Sequence, residues 1–172
     1  MKETPSDKML RVDQAGEYGA TRIYDGQLAV MGNRTALSAE IAAMAAQEAG
    51  HREKFDRLMA QRSVRPTALQ PAWSVAGYVL GAATALLGPK AAMACTVAVE
   101  EEIVRHYSQQ LDELESGDDP ELEALVTEFR EDERAHRDAA LDAGARNAPA
   151  YPLMARVIRL GCRAAIRLSE KI

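Results

Sequence analysis

The sequence predicts an all-α protein, built as a four-helix bundle with two additional shorter helices. Alanine, the strongest helix former, supplies 32 of the 172 residues. Aromatic residues, which favour sheets, make up only 5% of the chain. Turn-forming residues separate four long segments of helical periodicity, as a bundle requires. We expect residues 1–172 to form one domain, since a chain of this length can bury its own core.

The first two helices are long and are joined by a short turn. The first is predicted from Asp7 to Met31, and it ends at Gly32-Asn33 because both residues tolerate positive φ. The second is predicted from Thr35 to Arg62. Pro66 and Pro71 then indicate a loop, since proline interrupts a helix.

The third and fourth helices differ in character. The third, from Ala72 to Leu87, is apolar on every face and closes at Gly88-Pro89. It is short for a membrane span, so an interfacial or core-buried helix fits better. The fourth is predicted from Lys90 to Glu115 and ends at Ser116-Gly117.

The last two helices are marked by prolines. Asp119 is a good N-cap with Pro120 in the first helical position, and this fifth helix is predicted to reach Ala143. The sixth follows Pro149 and Pro152 and continues to the C-terminus.

Each of the four long helices carries one glutamate on its apolar seam. In the second and fifth helices this glutamate begins a Glu-x-x-His pair, and the two pairs lie 85 positions apart. Residues at i and i+3 project from the same helix face, so each pair can hold one metal ion. The remaining glutamates can terminate or bridge the ions. The predicted ligands are Glu17, Glu48, His51, Glu100, Glu133 and His136.

Carboxylates in a bundle core are costly unless a cation neutralises them. Four glutamates would balance two divalent ions, and the oxygen-rich ligand set favours iron or manganese over zinc. The pattern is that of ferritin-like dimetal carboxylate bundles. One Glu-x-x-His pair is weak evidence because chance produces it readily, but two of the three histidines have it. The sequence therefore predicts a ferritin-like bundle around a dimetal centre.

The periodicity leaves the positions of three residues of the fourth helix less certain than those of the ligands. Tyr107 follows Glu100 by one heptad, which suits either a position beside the metal ions or an ordinary core position. His106 lies off the seam, either holding a carboxylate behind the ligands or at the surface. Glu102 shares a face with Arg105 and is predicted to be solvated.

The C-terminal helix is basic and amphipathic. The last 22 residues carry a net charge of +4, against −9 for the rest of the chain. Together with the apolar third helix, this indicates a face that rests on an anionic membrane. A sixth helix that packs on the bundle with a solvated basic stripe is the alternative. The candidate membrane-facing residues are Trp73, Arg156, Arg159, Arg163 and Arg167, beside an apolar stripe of Leu153, Val157, Leu160, Ala164 and Leu168.

The overall charge of −5 argues against a nucleic-acid partner, which usually meets a basic face. Cys95 and Cys162 have no paired spacing, so neither a zinc motif nor a disulfide framework is predicted. The polar first residues resemble neither a secretory signal nor a transit peptide, which favours the cytoplasm.

Four strings resemble one known family, the demethoxyubiquinone hydroxylases of ubiquinone biosynthesis. They are RVDQAGEYGATRIYDGQ from Arg11, RPTALQPAWSVAGYVLGAATALLG from Arg65, MACTVAVEE from Met93 and APAYPLMARVIRLGCRAAIRLSEK from Ala148. The resemblance covers nearly the whole chain from Arg11. The family's six iron ligands match the same glutamates and histidines that the periodicity selects, and its His-Tyr pair matches His106-Tyr107.

The resemblance implies an O2-dependent monooxygenase with two Fe2+ ions. The implied reaction hydroxylates the quinol ring of a polyprenyl 3-demethoxyubiquinol and gives 3-demethylubiquinol. It also implies NADH as a reductant and a lipid-binding partner protein of the same pathway. Mitochondrial members carry a targeting presequence, and the first residues of this chain do not resemble one, so the chain looks like a bacterial form. The expected location is then peripheral, on the cytoplasmic side of a bacterial inner membrane.

Two other classes of protein fit parts of the sequence. A ferritin-type ferroxidase would use a similar site, but it would form a soluble shell with no reason for a basic membrane face. A non-enzymatic membrane scaffold would retain its function without the glutamate ligands.

Overall fold

The computed structural model describes residues 4–32, 35–114 and 117–172. These residues form six α-helices and one short 3-10 turn, with no strand among them, which confirms the all-α prediction. The elements are α1 (Pro5–Met31), α2 (Ala36–Arg62), α3 (Gln70–Leu86), α4 (Pro89–Leu114), α5 (Pro120–Asp142), the 3-10 turn (Ala145–Asn147) and α6 (Tyr151–Ser169).

The four long helices form two antiparallel hairpins, with α1 packed on α2 and α4 packed on α5. Helix α3 connects the hairpins and packs mainly on α1, and α6 packs on α4. The bundle with two shorter helices is therefore confirmed. Because each long helix turns its apolar seam inward, the seam glutamates meet in the middle of the bundle.

Side-chain caps determine where the helices begin. Thr4 and Asp7 form a capping box, so α1 begins at Pro5, two residues earlier than predicted. Thr35 caps α2 by accepting a hydrogen bond from the Ser38 N–H. Asp119 caps α5 as predicted.

Proline explains two further differences from the predicted boundaries. Helix α3 begins at Gln70, with Pro71 in its first turn, where a proline costs no hydrogen bond. Helix α6 likewise begins at Tyr151, before Pro152. The 3-10 turn was not predicted. The predicted boundary residues Asn33, Glu115 and Ser116 lie outside the described residues.

Two apolar clusters enclose the seam glutamates from both ends of the bundle. One cluster contains Tyr24, Ile41 and Met44 together with the first half of α4. The other contains the fully buried rings of Phe55 and Phe129. Buried groups between such layers are shielded from bulk water, which strengthens every electrostatic interaction between them.

Helices α1 and α3 touch backbone to backbone at glycines. A Cβ atom added to Gly81 would lie 1.9 Å from the carbonyl oxygen of Ile23, and one added to Gly26 would lie 2.1 Å from that of Tyr78. Backbone atoms cannot yield as the end of a flexible side chain can. These positions therefore require glycine, and the close contact fixes α3 against the bundle.

We expect Gly81→Ala to destabilise the protein by about 2–3 kcal/mol, because the methyl group forces α1 and α3 apart. The matched control is Gly50→Ala, where an added Cβ meets nothing within 4 Å. It should stabilise the protein by about 0.5–1 kcal/mol, since alanine loses less backbone entropy in a helix. Urea unfolding measures both. Equal effects of the two substitutions would contradict this packing argument.

Candidate metal centre

The six predicted ligands come together in the middle of the bundle as two overlapping groups, and all six residues are buried. Within each group, one potential ligand atom per residue lies within 4.8 Å of the others. Glu48 and Glu133 belong to both groups. The groups are Glu17, Glu48, His51 and Glu133, and Glu48, Glu100, Glu133 and His136.

Both histidines turn the Nδ1 atom toward the carboxylates. His51 Nδ1 lies 3.1 Å from Glu133 Oε1 and 3.6 Å from Glu17 Oε2. His136 Nδ1 lies 3.2 Å from the other oxygen of Glu133 and 3.0 Å from Glu48 Oε1. Glu133 thus lies between the two rings, and each Nδ1 is the atom available to a metal ion.

The outer nitrogens of the two histidines have unlike partners. His51 Nε2 lies 3.0 Å from Asp132 Oδ2, and His136 Nε2 lies 3.1 Å from Gln47 Oε1. An oxygen in this position can accept the Nε2–H of an imidazole whose Nδ1, once deprotonated, would be the ligand atom for a metal ion. Asp132 and Gln47 carried no signal in the sequence pattern, since both lie off the apolar seams.

Several buried carboxylate oxygens in the cluster lack a hydrogen-bond donor. They are Glu17 Oε2, both oxygens of Glu48 and Glu100 Oε2. Buried polar atoms are almost always paired, and unpaired carboxylates are especially costly. Four glutamates and two imidazoles can supply the charge and the ligand atoms for two divalent cations. The residues therefore fit a dinuclear metal site.

Burial and the closeness of the charged groups shift the pKa values of the cluster residues. Burial, and then repulsion from Glu133, raises the pKa of Glu48 and of Glu100 well above that of an ordinary glutamate. Burial opposes the charge on His51, but hydrogen bonds with Glu133 and Glu17 outweigh it and raise its pKa to about 10. Burial also raises the pKa of Glu133, but His136 and His51 lower it to about 2.

We expect the metal-free protein to become less stable as the pH rises from about 5 to 9. Glu48, Glu100 and His51 have raised pKa values, so across this range the folded state binds more protons than the unfolded state. Glu133 stays ionised in both states above about pH 5, and it adds no slope there.

Urea unfolding in the presence of a chelator, between pH 5 and pH 9, measures this slope. Glu48→Gln should flatten it, because one of the protonated groups is removed. A stability that rises with pH would contradict the protonation scheme.

Two buried tyrosines donate hydrogen bonds to Glu100 and Glu17, the two glutamates that belong to only one ligand group each. The Tyr24 hydroxyl donates to Glu100 Oε1 at 2.6 Å, and the Tyr107 hydroxyl donates to Glu17 Oε1. Tyr107 therefore lies beside the cluster, one of the two positions that the sequence allowed. The role of Tyr24 was missed, because a tyrosine on an apolar seam looks like an ordinary core residue.

His106 holds a carboxylate, but not one of the ligands. His106 Nε2 lies 3.3 Å from Asp13 Oδ1, which also accepts a 2.7 Å hydrogen bond from Gln110. Asp13 is buried, and burial is the main cause of its raised pKa. The pair braces α1 against α4 one turn away from Glu17.

The prediction that Glu102 is solvated was wrong. Only 2% of its side chain is exposed, and it accepts hydrogen bonds from Arg163 on α6 and Arg105 on its own helix. Burial raises the pKa of Glu102, but the two arginines outweigh this and hold the pKa below its ordinary value. The error arose because α6 supplies Arg163 from 61 positions away.

The basic stripe of α6 is divided between two roles. Arg159 donates a 2.6 Å hydrogen bond to Glu101, and Arg163 holds Glu102, so both arginines fasten α6 to α4. Arg156 and Arg167 are exposed. Trp73 is half-buried and donates to Ser169 Oγ at 3.0 Å, which joins α3 to the end of α6.

The apolar stripe of α6 does not pack on the bundle. Large side chains of α6, and of α3 with the residue that follows it, remain exposed. Two of them, Leu153 and Leu86, are 65% and 75% exposed. An exposed apolar surface of this kind is typical of a membrane or protein contact. The residues are Val75, Tyr78, Val79, Leu86, Leu87, Leu153, Val157, Leu160 and Leu168.

A cavity of about 430 Å³ lies between α1, α3, α4 and α6. Its walls are almost entirely apolar, with Trp73 and Ser169 at one side and Ile23 and Val99 at another. A small recess on the other side of Ile23 and Val99 reaches Glu100. Ile23 and Val99 thus stand between the apolar cavity and the carboxylate cluster.

Within the described part of the chain, no helix has the length and apolar character that crossing a bilayer demands.

Comparison with known proteins identifies the same family that the sequence strings resemble. A model of the family described as "Ubiquinone biosynthesis protein COQ7" matches residues 4–169. The chain is 53% identical to a Rhodospirillum rubrum protein named 3-demethoxyubiquinol 3-hydroxylase, over 96% of this chain and 78% of that protein.

Two eukaryotic relatives extend the similarity. The chain is 52% identical to a mouse protein named NADPH-dependent 3-demethoxyubiquinone 3-hydroxylase, mitochondrial, over 96% of this chain and 77% of the relative. It is 38% identical to a Saccharomyces cerevisiae protein named 5-demethoxyubiquinone hydroxylase, mitochondrial, over 96% of this chain and 78% of the relative. The chain therefore belongs to the ubiquinone biosynthesis protein COQ7 family.

Proposed function

We propose that this protein is a di-iron monooxygenase that hydroxylates the quinol ring of polyprenyl 3-demethoxyubiquinol to 3-demethylubiquinol. The observation that carries the proposal is a buried cluster of four glutamates and two histidines next to an apolar cavity. The names of the relatives support this reaction and not the ferritin-type ferroxidase. The reaction consumes one quinol, one O2, two electrons and two protons, and it releases one water.

The proposed metal is iron, because carboxylate and imidazole ligands suit iron and the reaction requires a redox-active ion. Two ferrous ions bound to the six ligands would supply electrons to O2 and deliver one of its oxygen atoms to the ring. The ligands we propose are Glu17, Glu48, His51, Glu100, Glu133 and His136, of which Glu48 and Glu133 belong to both ligand groups.

The protein's own residues would hold this chemistry in place. Tyr24 donates to Glu100 and Tyr107 donates to Glu17, and each hydrogen bond fixes the orientation of the glutamate. Phe129 stacks on His51 with ring centroids 3.9 Å apart, which restricts that imidazole. The apolar layers above and below exclude water, which limits side reactions of a strong oxidant.

The substrate would reach the centre through the apolar cavity. A polyprenyl tail is insoluble in water, so its ring has to enter from a bilayer without first crossing solvent. The cavity lies behind the exposed apolar residues of α3 and α6, and its inner wall borders the recess at Glu100. This arrangement supports entry of the ring between α3 and α6 while the tail remains in the lipid.

We propose that the same surface rests on an anionic membrane. Exposed apolar residues such as Leu153 and Leu160 would enter the interface, while Arg156 and Arg167 would meet lipid phosphates. Arg159 and Arg163 contribute less than the sequence suggested, since both are paired with glutamates of α4. A peripheral location on the cytoplasmic side of a bacterial inner membrane stays a prediction.

The electron donor we propose is a reduced nicotinamide nucleotide. The sequence resemblance implied NADH, and the names of the mouse and human relatives specify NADPH. A lipid-binding partner protein of the pathway also stays a prediction.

Iron content and turnover test the proposal together. We expect purified protein supplied with Fe2+ to hold two iron ions per chain and to hydroxylate demethoxyubiquinol only when O2 and a reductant are present. Glu133→Ala should lose both properties, while Glu131→Ala, an exposed glutamate of the same helix, should keep them. Full hydroxylase activity without bound iron would refute the proposal, and iron uptake without any hydroxylation would favour a ferroxidase.

A further inference from the structure

Thr96 lies on α4 one turn before Glu100, and it lines the recess that reaches this glutamate. The residue is 1% exposed. Its Oγ1 atom has no hydrogen-bond partner within the described part of the chain. Buried hydroxyl groups are nearly always paired, so this atom calls for an explanation.

A threonine inside a helix usually donates its hydroxyl proton to the carbonyl of the preceding turn. Thr84 of α3 does so, at 2.9 Å from the Leu80 oxygen. The equivalent carbonyl for Thr96 belongs to Ala92, and it accepts a hydrogen bond from the buried Gln27 side chain at 3.1 Å. Together with the N–H bond of the helix itself, this uses both lone pairs of the Ala92 oxygen. The Ala92 carbonyl is therefore not available to the Thr96 hydroxyl, which has no partner within the described part of the chain.

The recess offers this hydroxyl to whatever enters from the large cavity. Ala20, Ile23 and Val99 line both spaces and form the wall between them. The other hydroxyl in the recess, that of Tyr24, already donates to Glu100. In its present conformation the recess is narrower than a water molecule, so Ile23 or Val99 has to rotate before a ring can enter.

We infer that the Thr96 hydroxyl forms a hydrogen bond with an oxygen substituent of the substrate ring and so sets which ring carbon faces the metal centre. A hydroxyl both donates and accepts, so it suits a quinol hydroxyl, a quinone carbonyl or a methoxy oxygen. The inference rests on the proposed function and deepens it: Thr96 recognises an oxygen-substituted aromatic ring. Thr96 is then a positioning residue for the substrate and not a metal ligand.

Binding to the metal-free protein tests the inference without any turnover. Trp73 is the only tryptophan of the chain and lines the large cavity, so a bound quinone should quench its fluorescence. The probe is a ubiquinone analogue with a short tail. We expect Thr96→Val, which replaces the hydroxyl by a methyl group, to weaken binding about tenfold. Thr96→Ser should remain within about twofold of the wild type.

Two controls separate recognition from packing. Thr84→Val removes a buried hydroxyl that is already bonded within α3, and it should leave quinone binding unchanged. A prenylated benzene without ring oxygens, used as a competitor of the quinone, should bind the wild type and Thr96→Val equally. An equal loss with both compounds would indicate a packing defect and would overturn the inference.

The outcome also distinguishes this inference from the proposed function. If the quinone binds the wild type and Thr96→Val equally well, the role of Thr96 is refuted while the hydroxylase proposal stands. If the quinone does not bind the wild type at all, the substrate cavity is refuted and the inference with it.

Discussion

Glu48→Gln should abolish iron binding while leaving the fold intact. Glu48 belongs to both ligand groups, so its loss removes a ligand from each of the two ions. Altering a group behind a metal ligand typically costs 10–100-fold, and a shared ligand should cost more than about 100-fold in activity. Few substitutions in this protein should affect activity as strongly.

Without metal, the same substitution should not lower the stability of the protein. Neither oxygen of Glu48 receives a hydrogen bond, although Oε1 lies 3.0 Å from His136 Nδ1. Burial and the neighbouring carboxylates raise the pKa of Glu48, so the folded metal-free protein has to take up a proton there at neutral pH, and a neutral amide of the same shape avoids that cost. We therefore expect the free energy of unfolding without metal to be unchanged or higher at neutral pH.

The iron content per chain, the rate of hydroxylase turnover and urea unfolding measure the effects of Glu48→Gln on iron binding, activity and stability. Glu53→Gln on the same helix is the matched control, since the Glu53 side chain is 69% exposed and outside the cluster. Retention of two iron ions by Glu48→Gln would contradict the ligand assignment. Unfolding of the metal-free variant would contradict the charge argument.

The double substitution of Leu153 and Leu160 by aspartate should release the protein from membranes. Both leucines are exposed on α6, at 65% and 54%, and neither lines the cavity. Burying one leucine in an apolar environment contributes about 1.5–3 kcal/mol, so losing two should weaken vesicle binding by more than about 100-fold. Two added negative charges oppose anionic lipid as well.

Activity should then depend on the length of the substrate tail. The variant should lose turnover of a long-tail quinol in vesicles and keep turnover of a soluble short-tail quinol, because the metal centre is untouched. Ala42→Asp with Ala46→Asp is the matched control, with the same charges on exposed positions of α2. Vesicle binding is read by sedimentation with phosphatidylglycerol vesicles. Unchanged binding of the α6 variant would refute the membrane surface.

Charge reversal of Arg159 and Arg163 is a poorer test of the same surface. Each arginine binds a glutamate of α4, so glutamates in their place would repel Glu101 and Glu102. A loss of activity would then report the detachment of α6 from the bundle. The exposed leucines have no such contacts and isolate the membrane interaction.

The ligand cluster was predictable because it depends on local periodicity. Each ligand lies on the apolar seam of its own helix, and a bundle brings four seams together whatever the details of packing. The cap at Asp119 was predictable for the same reason, since a cap involves only the first turn of a helix.

The groups behind the ligands were not predictable, because they depend on which neighbouring helix faces which side chain. Glu102 looked solvated when only α4 was considered, but α6 covers it and supplies Arg163. Tyr24 became a hydrogen-bond donor only when α1 and α4 were placed in register. The Ala92 carbonyl is likewise unavailable to Thr96 only because Gln27, 65 positions earlier, donates to it.

The most direct test of the hydroxylase claim is the origin of the new oxygen atom. Iron-loaded protein is supplied with demethoxyubiquinol, a reductant and O2 enriched in the heavy isotope of oxygen, and the product is weighed by mass spectrometry. We predict that one heavy oxygen atom appears in the ring of the demethylubiquinol product and none does when only the water is labelled. An unlabelled product, or a label that comes from water, would contradict a monooxygenase at this centre.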